Sequence, residues 1–374
     1  MRGPALISGL ADRTDEMLRA LEELVEAESP SHDLAAVARC GSVLAELGGA
    51  ALGSAPEPLH ADGNMHLRWR WGTRTTVLIL GHFDTVWPQG TLMRWPFSVA
   101  DGRATGPGIF DMKAGLVQGL FGLAQLDDLD GIELLFNSDE EIGSPTSRKL
   151  IEDSARDARA VLVLEPSYNG ALKVARKGGG HYSIHISGKA SHAGLDPERG
   201  VNALVELAHQ VVAVQQIARP DTGTTITPTL ATAGTSSNTV PASAVVHLDV
   251  RARTAAELAR VDRELSSLQP VLAGSSIDVD GSINRLPLER AQSESLFAIA
   301  NEVAADLGLP GFESAEVGGG SDGNFTAALG VPTLDGLGAV GDGAHAEGEH
   351  VVVSKMAERA ALVASLVDRL REAS

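Results

Sequence analysis

The sequence contains one cysteine, Cys40, in 374 residues. A lone thiol forms neither an intramolecular disulfide nor a thiolate cluster, so any metal must be held by nitrogen and oxygen. Positive charge is scarce as well, with 30 Lys and Arg against 49 Asp and Glu and a formal net charge of −19. A field of that sign repels polyanions and argues against a nucleic-acid or anionic-membrane partner, although a small anion can still enter a locally basic pocket. Long apolar runs are missing too: Gly, Asp or Arg cuts each candidate short of the roughly eighteen residues of a membrane span. The opening MRGPALISGLADRTDE has one arginine and an apolar stretch broken at Pro4 and ended at Asp12, short for a secretory signal. The expectation is therefore a cytoplasmic chain with no membrane or nucleic-acid partner.

Apolar residues nonetheless make up 43% of the sequence, enough at this length for two cores and hence two domains. Met17, Leu18, Leu21, Leu24 and Val25 recur at helical spacing up to Ser29-Pro30, and a second helix carries Val37, Val43, Leu44 and Leu47. The period then becomes two, as Met65, Leu67, Trp69 and Trp71 alternate with His66, Arg68 and Arg70 in a half-buried strand. TVLILG (76–81), IELLFN (132–137) and VLVL (161–164) are continuously apolar, the pattern of central strands covered on both faces. A helix through Leu116, Val117, Leu120 and Leu123 joins the first two, so the grammar is that of a largely parallel α/β sheet. From about residue 175 the order is β-α-β-β-α-β, a compact α+β unit inserted into the first domain, with a return near Arg285. The expected division is 1–174 and 284–374 for the first domain and 175–283 for the insertion.

The chemistry-bearing residues cluster at strand ends. His82 and Asp84 lie just beyond TVLIL, Asp139, Glu140 and Glu141 beyond IELLFN, and Glu165 beyond VLVL, while Asp111 stands in the glycine-rich turn GPGIFDMKAG. Carboxyl ends of parallel strands open into one crevice. Singly, a His-x-Asp pair, an acidic triplet or a glutamate after a strand is ordinary surface. Together with a late histidine they supply the imidazole and carboxylate donors that zinc takes.

GHFDTVWP, GPGIFDMKAG, SDEEIGS, LEPS, GKASHAG and GAHAEGEHV, in this order, resemble the zinc amidohydrolase and peptidase family of acetylornithine deacetylase, succinyl-diaminopimelate desuccinylase, aminoacylase and glutamate carboxypeptidase. The resemblance implies a zinc-exopeptidase-like catalytic domain interrupted by a lid and dimerisation domain. It implies two zinc ions per subunit, with cobalt as a possible substitute, bridged by Asp111. His82 and Glu165 would complete one site, Glu141 and His345 the other. His345 takes the family's histidine position, with Glu349 the acidic residue after it and His350 a surface side chain. Asp84 would orient His82, Glu140 would act as general base, and His192 would stabilise the oxyanion in the active site of a second copy, which implies a homodimer.

The glutamate carboxypeptidase branch is the most similar, and it places Lys173, Asn238, Arg251, Arg285 and Gly320 against the substrate. Arg251 and Arg285 suit carboxylates, which guanidinium grips in a planar, bidentate way. Two departures stand out: leucine follows Arg285 in INRLPLER where proline is commoner, and Phe110 and Ala114 flank the bridging aspartate. The expected activity is release of a C-terminal amino acid, glutamate favoured, from a small N-acyl or peptidyl substrate. A deacylase of the acetylornithine or desuccinylase type is the alternative. A catalytically silent ligand-binding relative is disfavoured by the intact Glu140.

Overall fold

The computed structural model describes residues 3–372. Contacts divide the chain into two compact units, one comprising the chain up to Ala175, Leu288–Val317 and everything from Ser321 on, the other Arg176–Pro287 with Gly318–Gly320.

In the first unit the sheet centre forms where the sequence is continuously apolar. Val77–His82, Ile132–Asn137 and Ala160–Val163 are buried at every residue, as strands without a polar face must be. The six-stranded order is Glu57–Ala61, Asn64–Arg70, Ile132–Asn137, Val77–His82, Ala160–Val163, Thr333–Leu334. Pairings among the last four are parallel and those involving Asn64–Arg70 antiparallel. The α/β expectation of a largely parallel sheet holds.

The helix Ala114–Leu123 is buried throughout because it is packed against both the sheet and the helix Met356–Glu372. Its Gly115 and the distant Gly338 both abut the Leu164 carbonyl, 2.2 and 2.1 Å from where a Cβ would stand. A side chain at either position would displace the strand end that leads to Glu165.

Two local expectations change. A helix over Pro4–Ala11 was not read from the sequence; it buries Leu6 and Leu10. His66 breaks the alternation of its strand, being fully buried instead of facing outward, because the turn after Ile132–Asn137 covers it. The 19-residue helix Leu34–Leu52 is long and apolar enough to cross a membrane by composition alone, but Val37, Cys40 and Leu44 lie in the core.

The second unit is a four-stranded antiparallel sheet in the order Thr225–Ala233, Ser243–Ala252, Gly178–Ser187, Ser276–Arg285. Along Ser243–Ala252 buried and part-exposed residues alternate strictly, so only one face of this sheet is covered. The helices Ala203–Ile217 and Ala255–Ser266 pack there over Ile184, Val246 and Leu248, the second helix adding Val261 to the same core. Chain order is the expected β-α-β-β-α-β.

Candidate active site

Three parallel strands deliver their ligands to one place. His82 is the last residue of Val77–His82, Glu140 and Glu141 form a one-turn 3-10 helix shortly beyond Ile132–Asn137, and Glu165 follows Ala160–Val163 by two residues. Asp111 arrives from the turn before the helix Ala114–Leu123, and the Asp111–Met112 peptide is cis. His345, at φ 62°, comes from the loop after Gly341–Asp342.

Their atoms converge. The His82 Nε2 lies 3.3 Å from Asp111 Oδ1 and 3.6 Å from Glu165 Oε1. The His345 Nε2 lies 3.4 Å from Asp111 Oδ2 and 3.2 Å from both Glu141 oxygens. Asp111 thus turns one oxygen to each imidazole. Donor atoms of His82, Asp111 and Glu141 lie within 4.8 Å of one another, as do those of His82, Glu140 and Glu165.

This is a donor set that fits metal. The His82 Nε2 and Asp111 Oδ1 are both buried and have no hydrogen-bond partner, although they face each other. Buried polar atoms seldom remain unsatisfied, and here both point into a space walled by carboxylates. Charge crowding is severe without an ion. Burial pushes the His82 imidazole down, but Asp111, Asp84 and Glu165 outweigh it and hold the ring protonated well above the ordinary range. Burial pushes Asp111 up, but the two histidines outweigh that and keep it ionised. Asp111 and Glu141 raise His345 to about 10. Burial raises Glu141.

A layer of buried carboxylates holds these groups in place. The His82 Nδ1 lies 3.0 Å from the Asp84 carbonyl and 3.4 Å from its carboxylate. The carboxylate accepts from Ser31 Oγ and, at 3.2 Å each, from the backbone N–H groups of Glu140 and Glu141. It therefore orients the proposed base and a ligand together. Asp139 accepts from the backbone and hydroxyls of Thr146 and Ser147 and closes the same turn. Glu349, which sequence reading noted only as an acidic neighbour of His345, accepts from four donors: the N–H groups of Gly108, Phe110 and Asp111 and the Trp87 Nε1. It is fully buried and pins the loop that presents Asp111. Its position four residues after His345 was the one signal that marked it.

Residues 78–369 match the model of peptidase family M20/M25/M40. The chain belongs to this family. It is 32% identical to carboxypeptidase G2 from Pseudomonas sp. (strain RS-16), over 98% of this chain and 92% of that protein. It is 26% identical to a succinyl-diaminopimelate desuccinylase from Stutzerimonas stutzeri (strain A1501), over 82% and 86%. Among solved structures, an M20 family metallo-carboxypeptidase from Sulfolobus solfataricus is similar at TM-score 0.74 and 17% identity, covering 95% of this chain and 99% of that one. As an M20 family member the chain is a metal-dependent hydrolase of the amidohydrolase and peptidase kind.

The other expected site residues of this M20 chain fall into separate groups. Lys173 belongs with the ligands, its Nζ 3.8 Å from Glu165 Oε2. In the second unit, His192 sits on an exposed turn beside Asn238, whose carbonyl accepts from Ala193 N. The His192 Nδ1 accepts from the N–H groups of Gly194 and Leu195 at 3.1 Å each; this fixes the tautomer and leaves Nε2–H as the outward donor. Arg251 and Arg285 both stand opposite Gly179, on its two neighbouring strands. Arg251 is held bidentately by Asp249, two residues before it. The Gly320 carbonyl accepts from Arg176 at 3.2 Å.

Proposed function

We propose that this chain is a two-zinc carboxypeptidase that releases a C-terminal amino acid, glutamate by preference, from an N-acyl or peptidyl donor. The observation that carries the reading is the convergence of His82, Asp111, Glu141, Glu165 and His345, with Glu140 beside them, in a chain alike along nearly its whole length to carboxypeptidase G2. In this reading Asp111 would be common to the two zinc ions, with His82 and Glu165 holding one and Glu141 and His345 holding the other. Bound zinc supplies Lewis-acid polarisation of the scissile carbonyl and an acidified water.

The chain's own residues do the rest. Asp84 holds the Glu140 and Glu141 amides, so that the Glu140 carboxylate is aimed and Glu141 is fixed. Glu140 takes the proton of the attacking water, then returns it to the amide nitrogen as the C–N bond breaks, one carboxylate serving as base and acid. In this reading Arg251 and Arg285 recognise the carboxylates of the released amino acid. His192 of a second copy donates Nε2–H to the oxyanion, which makes the working form a homodimer.

A product-resolved screen of N-acyl amino acids and dipeptides with zinc or cobalt supplied tests this. The expected result is release of free glutamate from N-acyl-glutamates. Glu140→Ala should retain its metal and lose about 10²–10⁴-fold in kcat. Full activity in that variant would overturn the mechanism. Similarity to the desuccinylase favours a second reading, an N-acyl amino acid deacylase; preferential release of acetate or succinate from larger conjugates selects it.

A further inference from the structure

The helix Met356–Glu372 begins against a cavity of about 300 Å³ lined by Leu309, Pro310, Phe312, Val340, Lys355 and Arg359. That volume holds roughly ten water-sized groups, and mostly apolar walls with a few convergent charges are the composition of small-molecule pockets. Arg359 is the unusual member. It is 3% exposed, its guanidinium lies 5.0 Å from the centre of the Phe312 ring, and it donates to the carbonyls of Gly170 and Gly336. Among the described residues no carboxylate pairs with it. Lys355, by contrast, is held by Glu358 at 2.9 Å.

Buried charges are ordinarily paired with opposite charge. In a chain of net charge −19 a missing partner is not for want of carboxylates. Burial pushes the guanidinium down to about 10 against the opposing pull of the nearby Glu358 carboxylate.

We propose that this cavity binds a small organic monocarboxylate, with its anionic end on Arg359 and its apolar body against Leu309, Phe312 and Val340. Glu313 and Glu358, which also line the cavity, disfavour a second negative charge. The site is coupled to the metal centre through its walls. Asn169–Ala171 continue the loop that begins at Glu165, and Ser167 in that loop donates N–H and hydroxyl to the Ala339 carbonyl, both at 2.9 Å, next to Val340. Lys173 N donates to Asp335 O at 2.9 Å, one residue before the Gly336 that Arg359 holds. An occupant that draws on Arg359 therefore pulls on the segments carrying Glu165 and Lys173, and alters turnover without competing with substrate.

The test uses the metal-loaded protein, with 3-phenylpropionate as probe and 3-phenylpropionamide as its neutral isostere, in calorimetric titrations and in steady-state assays. Leu309→Trp fills the cavity while leaving Arg359 in place, and Arg359→Gln keeps hydrogen-bond donors but removes the charge. The expected result is saturable binding of the acid by the wild type, at least about tenfold weaker for the amide and for both variants. The acid should also change kcat in the wild type, and leave the kcat of Leu309→Trp where it stands without the acid. Absence of saturable binding in the wild type would overturn the proposal. So would equal binding by Leu309→Trp with purely competitive kinetics, since the probe would then occupy the metal centre. Leu309→Trp carries the test should Arg359→Gln fail to fold. The calorimetric arm does not depend on which substrate the enzyme takes.

Discussion

His345 is the most exposed of the five candidate ligands, with a side chain 51% open to solvent, and its ring stands between two carboxylates. In the metal-free protein those carboxylates raise its pKa to about 10, so at neutral pH the ring that must donate a lone pair carries a proton. The sign follows. A pKa raised above the ordinary 6.5 adds stability to the metal-free fold that is complete below about 6.5 and fades as pH climbs through about 10. Metal competes with that proton, so apparent zinc affinity should rise across the same window and binding near pH 7 should release protons. Calorimetric zinc titrations in buffers of different ionisation enthalpy give the proton count; a value of zero would contradict the assignment of His345. Glu349 is a second residue whose role is specific. Glu349→Gln places an amide N–H₂ where only N–H donors converge, which costs about 1–3 kcal/mol for the orphaned donors. The Asp111 loop should loosen, and zinc affinity should fall about 10–100-fold, read by competition with a chromogenic chelator.

At the scale of elements, the central strands were legible because burial on both faces leaves only apolar residues to choose from, as in TVLILG and IELLFN. Asp111 and His345 come from loops and were marked by their motifs, whereas His82, Glu141 and Glu165 were legible because each stands at or shortly beyond the end of such a strand. His66 was not, since a period-two pattern describes a strand with one open face and contains no information about the loop that later covers the other. Neither the Asp84 contacts to the Glu140 and Glu141 amides nor the four donors on Glu349 were visible, because each joins a donor to a carboxylate distant in sequence, up to 262 residues for Trp87 and Glu349. Capping was not read from the sequence. Thr254-x-x-Glu257 has the form of a capping box, and Thr254 Oγ1 accepts from Glu257 N at 3.2 Å. The Glu257 carboxylate, however, goes to Thr224, Arg219 and Arg260 and not back to the Thr254 amide. Thr254→Ala should therefore cost about 1 kcal/mol through the cap alone, seen as a lower urea midpoint with metal content unchanged.

At the scale of the molecule, the five candidate ligands come from separate segments of one unit, and the other unit has its own core around Ile184, Val246 and Leu248. Metal that binds only the folded first unit stabilises that unit by mass action, about 4 kcal/mol when free metal exceeds its Kd a thousandfold. The second unit has no share in the ligand set and should not respond. The sequence supplies the reporter for this difference: Trp69, Trp71, Trp87 and Trp95 are the four tryptophans, and all belong to the first unit. Tryptophan fluorescence thus follows the first unit, whereas calorimetry and far-ultraviolet dichroism register both. On adding a chelator, the fluorescence-monitored midpoint should fall by about 10 °C, while a calorimetric component that fluorescence does not see stays where it was. If both move together, the two units unfold as one and the metal staples the whole chain. If neither moves, the five residues do not hold metal in the folded protein, and the hydrolytic mechanism proposed for Glu140 loses its foundation.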